Sequence, residues 1–441
     1  MRKFNYQIPI KGIMLILFEM GFGLNINLVG SISVSEIFVF LYTIYFLFKD
    51  PLLAEHSFQR IIMLYSGLFL AQCLSETIVS TSINNSLKGI SITVISFCHL
   101  YFLIRMFKRS RYLVLWAYIG MLLKPFVMGT SYQGDTIMAL NGQDNVYLKF
   151  VIAPLFINIL MFYSYFNDNR KTSFLLIISG IIFMLLGARS WGALAFISGV
   201  LSYFIISGKL SNYRRILTYG AISCLIVYGA YVLYVNSVLS GKIATGNSGQ
   251  IYRTENPYNP LNLLRVGRTE AFIGAIAFSD APLWGHGAWK KDSECGYKYT
   301  SMKSSYQHLG AGAYADEIDL IPCHSVIIGF GCYNGIFAFI IGGILIIWFM
   351  KMGVIDVFET KVYVILLTYF LISFIWHSTF SPQSHFRLTL PLYMAFIYVN
   401  YQVYKKNTIW SSRQEIEAER RDDFVKAYQR KHKNQLLKDD D

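Results

Sequence analysis

Apolar blocks long enough to cross a bilayer recur through most of this chain. About 20 apolar residues in a helix span the ~30 Å of hydrocarbon in a membrane. Such blocks lie near residues 10–28, 34–48, 60–80, 88–107, 112–128, 148–166, 172–188, 191–207, 216–236, 324–350, 362–378 and 388–404. The expected fold class is therefore an all-α polytopic membrane protein with about twelve transmembrane helices. Composition agrees: 54% of the 441 residues are hydrophobic and 15% charged, and the mean hydropathy of +0.42 is too apolar for an ordinary soluble chain. The opening MRKFNYQIPIKG leads into the first block without a small-residue cleavage site, so that block is expected to be a retained anchor.

The formal net charge of +13 raises the question of nucleic acid, but the basic residues form no patch interleaved with aromatics. They sit in short connectors. Those on the side of the N-terminus carry Lys49, Arg60, Arg105, Lys108, Arg109, Arg111, Arg170, Lys171, Lys209, Arg214, Arg215, Lys351 and Lys361, against Lys88, Arg189 and Arg387 on the opposite side. The excess of Lys and Arg marks the cytoplasmic face, which places both termini in the cytoplasm. Four regions result: a membrane bundle of about nine spans over 1–236, a large outer loop over 237–323, further spans over 324–404 and a charged cytoplasmic tail over 405–441. The tail is helix-prone and mixes ten basic with eight acidic residues, which suits contact with anionic lipid headgroups.

Between Thr172 and Ser207 there is one charge, Arg189, in the stretch LLGARSWGALAF. The run is too long for one span and breaks at GARSWG into two spans joined by a tight outer turn. An arginine there either anchors the turn to headgroups or is kept for an anionic partner. The loop 237–323 balances eight basic against eight acidic residues, and long loops often carry function. Within it RVGRTEAFIGAIAFSD has apolar residues at helical spacing behind Arg265 and Arg268, followed by the turn APLWGHG. This predicts an amphipathic helix along the outer membrane surface. Its arginines either snorkel to lipid phosphates or bind a ligand. In IPCHSVIIGFGCYNGIFAF, His324 stands at the outer mouth of the tenth span, as a cap or as a general base for a sugar hydroxyl. Arg189, Arg265, Arg268 and His324 all map to the outer face, a combination suited to a pyrophosphate leaving group and a hydroxyl nucleophile.

The ordered set GARSWGALAF, R-x-x-x-F followed by APLWGHG, and CHSVIIGFGCYNGIFAF resembles the bacterial O-antigen polymerase and O-antigen ligase family over roughly residues 172–345. The resemblance implies a membrane glycosyltransferase of the GT-C type that inverts the anomeric centre. It would use undecaprenyl-pyrophosphate-linked glycan as donor and acceptor on the periplasmic side of the inner membrane, with no metal or cofactor. Arg189 and Arg268 would bind the pyrophosphate, and His324 would activate the acceptor hydroxyl. Arg265 competes with Arg268 for the loop role. Two motifs depart from the family: ARSWG replaces a tighter SRG form, and Gly331 and Gly335 are one residue wider than G-x-x-G. The polymerase is the favoured expectation. The ligase, which moves polymer onto lipid A–core, shares the chemistry. A flippase or exporter fits less well, because no internal repeat is visible and the notable charges cluster at one face. A chain-length regulator is a possible partner of the spans.

Further candidates for substrate contact are His385 and Arg387 in WHSTFSPQSHFR, with His377 beside them, and Lys124 in the outer part of the fifth span. Asp316, Glu317 and Asp319 in ADEID are expected to form a solvated segment near sugar hydroxyls rather than a cation site. Cys73, Cys98, Cys224 and Cys332 are expected to act as small buried apolar residues. Cys295 and Cys323 are candidates for a disulfide across the outer loop. No phosphate-binding glycine loop, nucleotide fingerprint or metal-type Cys/His spacing is present. Such a pattern suits an enzyme whose donor arrives already activated on a lipid.

Overall fold

The computed structural model describes residues 10–27, 30–128, 148–208, 231–242, 256–306 and 319–408, together with Leu225, Tyr228, Gly229, Ile251, Tyr252 and Thr254. Most of the ninth expected span, Cys224, Asp316, Glu317 and the tail beyond 408 lie outside the described residues.

Helices dominate. The N-terminal half runs α1 (Ile10–Gly21), α2 (Val34–Phe46), α3 (His56–Ile78), α4 (Ile83–Arg109), α5 (Val114–Met128), α6 (Ala153–Phe166), α7 (Arg170–Leu185) and α8 (Arg189–Ile206). The loop contributes α9 (Pro260–Gly267), α10 (Thr269–Asp280) and α11 (Lys298–Tyr306). After it come α12 (Val326–Glu359), α13 (Val364–Phe380), the short α14 (His385–Leu388) and a helix over residues 390–408. A small departure from the all-α expectation is an antiparallel pair, β1 (Asn25–Asn27) with β2 (Ser31–Ser33), in register Ile26 to Ile32. Ser33 then starts α2 through a capping box, its hydroxyl accepting from Glu36 N while Glu36 Oε2 accepts from Ser33 N at 2.7 Å.

Among the described residues α3, α4, α8 and α12 are long and apolar enough to cross a membrane, and α6 and α13 are shorter apolar helices. Large apolar side chains point outward from them, including Leu70 at 64% exposure and Ile347 at 66%. Surfaces this apolar on elements this long need a hydrocarbon environment, so the chain is a helical membrane protein. Inside, one continuous core joins α1, α2, α4 and α5 to α12, α13 and the helix over 390–408, with Phe102, Tyr118, Phe349, Phe370 and Phe374 fully enclosed.

Three features place the candidate site. First, α7 and α8 are antiparallel and pack backbone to backbone: a Cβ on Gly192 would lie 2.6 Å from both Gly180 O and Met184 N. The turn expected at GARSWG is present as Leu186–Gly187–Ala188, and Arg189 is the first residue of α8. Second, the single amphipathic helix expected over RVGRTEAFIGAIAFSD is two helices, broken at Arg268 (φ −134°, ψ 32°) just after Gly267. The second of them, α10, buries Ala271, Ile273, Gly274 and Ala277 against the start of α12 instead of lying on its own. Third, α12 breaks at Gly335 (φ 77°, ψ −172°), where the expected tenth span was continuous. The APLWGHG turn docks there: Ile336 N donates to Pro282 O at 2.8 Å, His286 N to Cys332 O at 2.9 Å and Gly287 N to Tyr333 O at 2.9 Å. Beneath the turn Glu76 Oε1 accepts from Ala288 N (2.9 Å) and Asn334 Nδ2 (3.0 Å), locking the loop to α3.

Candidate functional site

Arg268 is the hub. Because it interrupts the loop helices instead of continuing them, its side chain leaves the helix axis and reaches the bundle. Nη2 donates to Ser190 Oγ at 2.8 Å, beside Arg189, and Nη1 to Phe380 O at 3.4 Å. The guanidinium also lies 4.9 Å from the Trp376 ring centroid. Burial lowers its pKa, and the carboxylate of Glu270 opposes that shift. These hydrogen bonds are to neutral oxygens, so the positive charge remains suited to an incoming anion. Arg189, partly buried, donates from Nη2 to Tyr234 Oη at 2.5 Å and lies 5.3 Å from that ring's centroid.

Glu270, in the first turn of α10, faces His324. Its Oε2 accepts from His324 Nδ1 and its Oε1 from Lys303 Nζ of α11. Burial alone would raise the carboxyl, but the hydrogen bonds and positive charges of His324 and Lys303 bring it down to about 2. His324 lies in an extended segment just before α12, whose N-cap Ser325 accepts from Ile328 N at 3.2 Å. Its side chain is 46% exposed, open enough to meet a substrate. His385 completes the group. It stacks on His377 with centroids 4.8 Å apart and planes 11° apart, and Nδ1 meets Thr389 Oγ1 at 3.1 Å. Burial, and then the charge of His324, lowers the His385 pKa to about 4, so it is a neutral imidazole near pH 7.

The structure therefore brings Arg268, His324 and His385 into one neighbourhood, reaches Arg189 only through its chain neighbour Ser190, and leaves three other candidates elsewhere. Arg265 lines a shallow groove with Phe272, Ala275, Ile276 and Ser279. Arg387 is a structural clamp: Nη1 pairs with the buried Glu36 at 3.0 Å and Nη2 donates to Ser31 O at 3.3 Å. Lys124 belongs to the packing of α5 on α1, with Nζ 5.9 Å from the Phe22 ring centroid and Glu19 as its nearby carboxylate. Asp319 accepts from Ser293 N at 2.8 Å and so braces the loop. Among the described residues no group of three or more His, Cys, Asp or Glu is arranged to hold a metal ion. Cys295 and Cys323 are both free thiols, which corrects the expected disulfide. Cys323 instead fills the notch over Gly274, beside Cys332, in the loop's own apolar core. Cys98 and Cys332 are buried as expected, while Cys73 is half-buried.

No family model matches the chain, and no curated protein does.

Sequence reasoning missed Glu270, Lys303, Ser190 and Trp376. Glu270 stood two residues from a flagged arginine, but only the docking of α10 on α12 reveals its partner. The carboxylate makes a testable statement about pH. Its folded pKa lies below the ordinary 4.5, so the stability it contributes is present above about pH 4.5 and is lost as pH falls toward 2. The layer of α10 and α11 should therefore loosen on acidification from about pH 6 to about pH 3. Hydrogen exchange across residues 298–306, measured as protection factors at the two pH values, should show the drop; equal protection would contradict it.

Proposed function

We propose that this protein is an inner-membrane glycosyltransferase that polymerises undecaprenyl-pyrophosphate-linked oligosaccharide repeats on the periplasmic face. In this reading the chain has about twelve spans in a GT-C-like arrangement, with both termini cytoplasmic. The observation that carries it is the convergence of Arg268 on Ser190, next to Arg189, while Glu270 two residues later holds His324. Two separated membrane segments and the loop thus meet at Arg268, with Arg189 adjoining its partner Ser190 and Glu270 carrying the link to His324.

That set suits transfer from a lipid pyrophosphate. The acceptor hydroxyl of a fresh lipid-linked repeat gives its proton to the imidazole of His324 and forms a C–O bond with the anomeric carbon of the growing chain. The bond from that carbon to the pyrophosphate oxygen breaks, and the electron pair leaves with the lipid pyrophosphate. Arg189 and Arg268 stabilise the charge that develops there, as fixed cations in a site of low polarity do best. In this reading His385, neutral and half-buried, hydrogen-bonds a sugar hydroxyl. The reading calls for no metal or cofactor.

The test is a gel of surface lipopolysaccharide from a strain lacking this protein, with lipid-carrier glycans extracted in parallel. Core bearing a single repeat is the expected result. Bare core with long polymer stranded on the carrier would replace the polymerase by a ligase that transfers to lipid A–core. An unchanged ladder would overturn both.

A further inference from the structure

We infer that Glu270 is a positioning residue for His324: its carboxylate holds the imidazole with the proton on Nδ1 and leaves Nε2 facing the acceptor hydroxyl. The inference rests on the reading of His324 as the general base.

The geometry divides the work between the two carboxylate oxygens. Oε2 accepts from His324 Nδ1, and Oε1 accepts from Lys303 Nζ. Lys303 thus meets the second oxygen, while the first is the one that meets the imidazole. The Glu270 and Lys303 side chains are 19% and 16% exposed, whereas His324 is 46% exposed. The pair is thus shielded on the Glu270 side and open on the His324 side, where a substrate must arrive. Three elements present charge or titratable groups to this imidazole: α10 brings Glu270 and, behind it, Arg268; α11 brings Lys303; and α14 brings His385. Among the described residues of these elements Glu270 is the anion that meets the imidazole, so it can stabilise the imidazolium that forms when Nε2 takes the hydroxyl proton. A carboxylate on the far nitrogen sets the tautomer and supports the cation without taking the proton itself, as in the Ser-His-Asp triad. That proton passes from Nε2 to solvent once the sugar has been transferred.

Glu270→Gln should reverse the tautomer, because an amide N–H can donate to Nδ1 and push the proton to Nε2. The full chain, purified in detergent with 15N-labelled histidine, gives the readout directly, and a His324→Gln difference spectrum assigns the resonance. The parent should show His324 protonated on Nδ1, and the Glu270→Gln variant should not. With purified lipid-linked repeats, kcat of Glu270→Gln should fall by roughly 10²–10⁴-fold while KM for the donor stays near the parent value. Lys303→Met separates positioning from mere bracing. It removes the same ion pair from the loop layer, and should cost kcat far less than Glu270→Gln does. An unchanged tautomer in Glu270→Gln overturns the inference, as do equal losses in the two variants. If His324→Ala keeps full turnover, the general-base reading itself fails. That outcome is distinct from a Glu270→Gln variant that stays active while His324→Ala is dead, which sinks only the role of Glu270.

Discussion

His324→Ala is expected to lower polymer formation by about 10²–10⁴-fold, the usual contribution of a positioned general base, with protein level in the membrane unchanged. The two halves of that statement have separate physical grounds. The imidazole is 46% exposed and fills no part of the apolar core, so truncating it leaves no buried cavity. Glu270 keeps Lys303 as its partner, so no carboxylate is left uncompensated in a shielded place. Ser325 still caps α12. What disappears is the exposed imidazole that Glu270 holds beside the start of α12. On the proposed reading donor binding rests on Arg189 and Arg268, so KM for the lipid-linked donor should stay near the parent value and the loss should fall on kcat. Single-turnover assays with defined repeats, together with immunoblots of membranes, check both halves. A variant with turnover within a few-fold of the parent would remove His324 from the chemistry.

The residues that made this site readable in the sequence were those whose oddness is local. Arg189 stands alone among apolar neighbours, and a charge in that setting demands a turn or a partner whatever the rest of the chain does. His324 follows a proline at the end of a long polar segment, and the helix start it predicts is there, one residue on from Ser325. The parts that could not be read depend on contacts between distant segments. Apolar spacing runs straight through Gly267 and Arg268, so nothing local showed that Arg268 would leave its helix to reach Ser190 on α8. Arg387 carried the same signature as Arg189, one cation at an apolar boundary. Its partner, Glu36, lies at the other end of the chain, and the pairing turned a supposed anion contact into a clamp. Cys295 and Cys323 share a cluster, as their common loop suggested, but the fit of Cys323 over Gly274 decides where its sulfur points.

Gly335→Ala should destabilise the protein by about 2–6 kcal/mol, the sum of two independent costs. The first is torsional. At φ 77° and ψ −172° the residue occupies a region open essentially to glycine alone, and an L side chain there costs about 1–3 kcal/mol. The second is steric. A Cβ would sit 2.1 Å from Leu283 O and 2.7 Å from Trp284 Cα, both backbone atoms of the docked turn, and forcing extra atoms into such packing costs about 1–3 kcal/mol. The clash has no cheap escape. For the turn to withdraw, Ile336 N must release Pro282 O, and His286 N must release Cys332 O. Ala288 N would then also leave Glu76, a carboxylate at 4% exposure that needs its donors. Because the turn follows α10 directly, its displacement would carry Glu270 away from His324, so activity should fall even in the fraction that folds. Gly343→Ala is the control: nothing lies within 4 Å of its added methyl, and alanine favours the helix by about 1 kcal/mol. Thermal unfolding in detergent, followed by size-exclusion fluorescence, should place Gly335→Ala well below the parent and Gly343→Ala at or above it. Equal melting points for the two variants would mean that the loop turn does not seat in the break of α12, and the route by which the loop delivers Glu270 and Arg268 to the site would have to be redrawn.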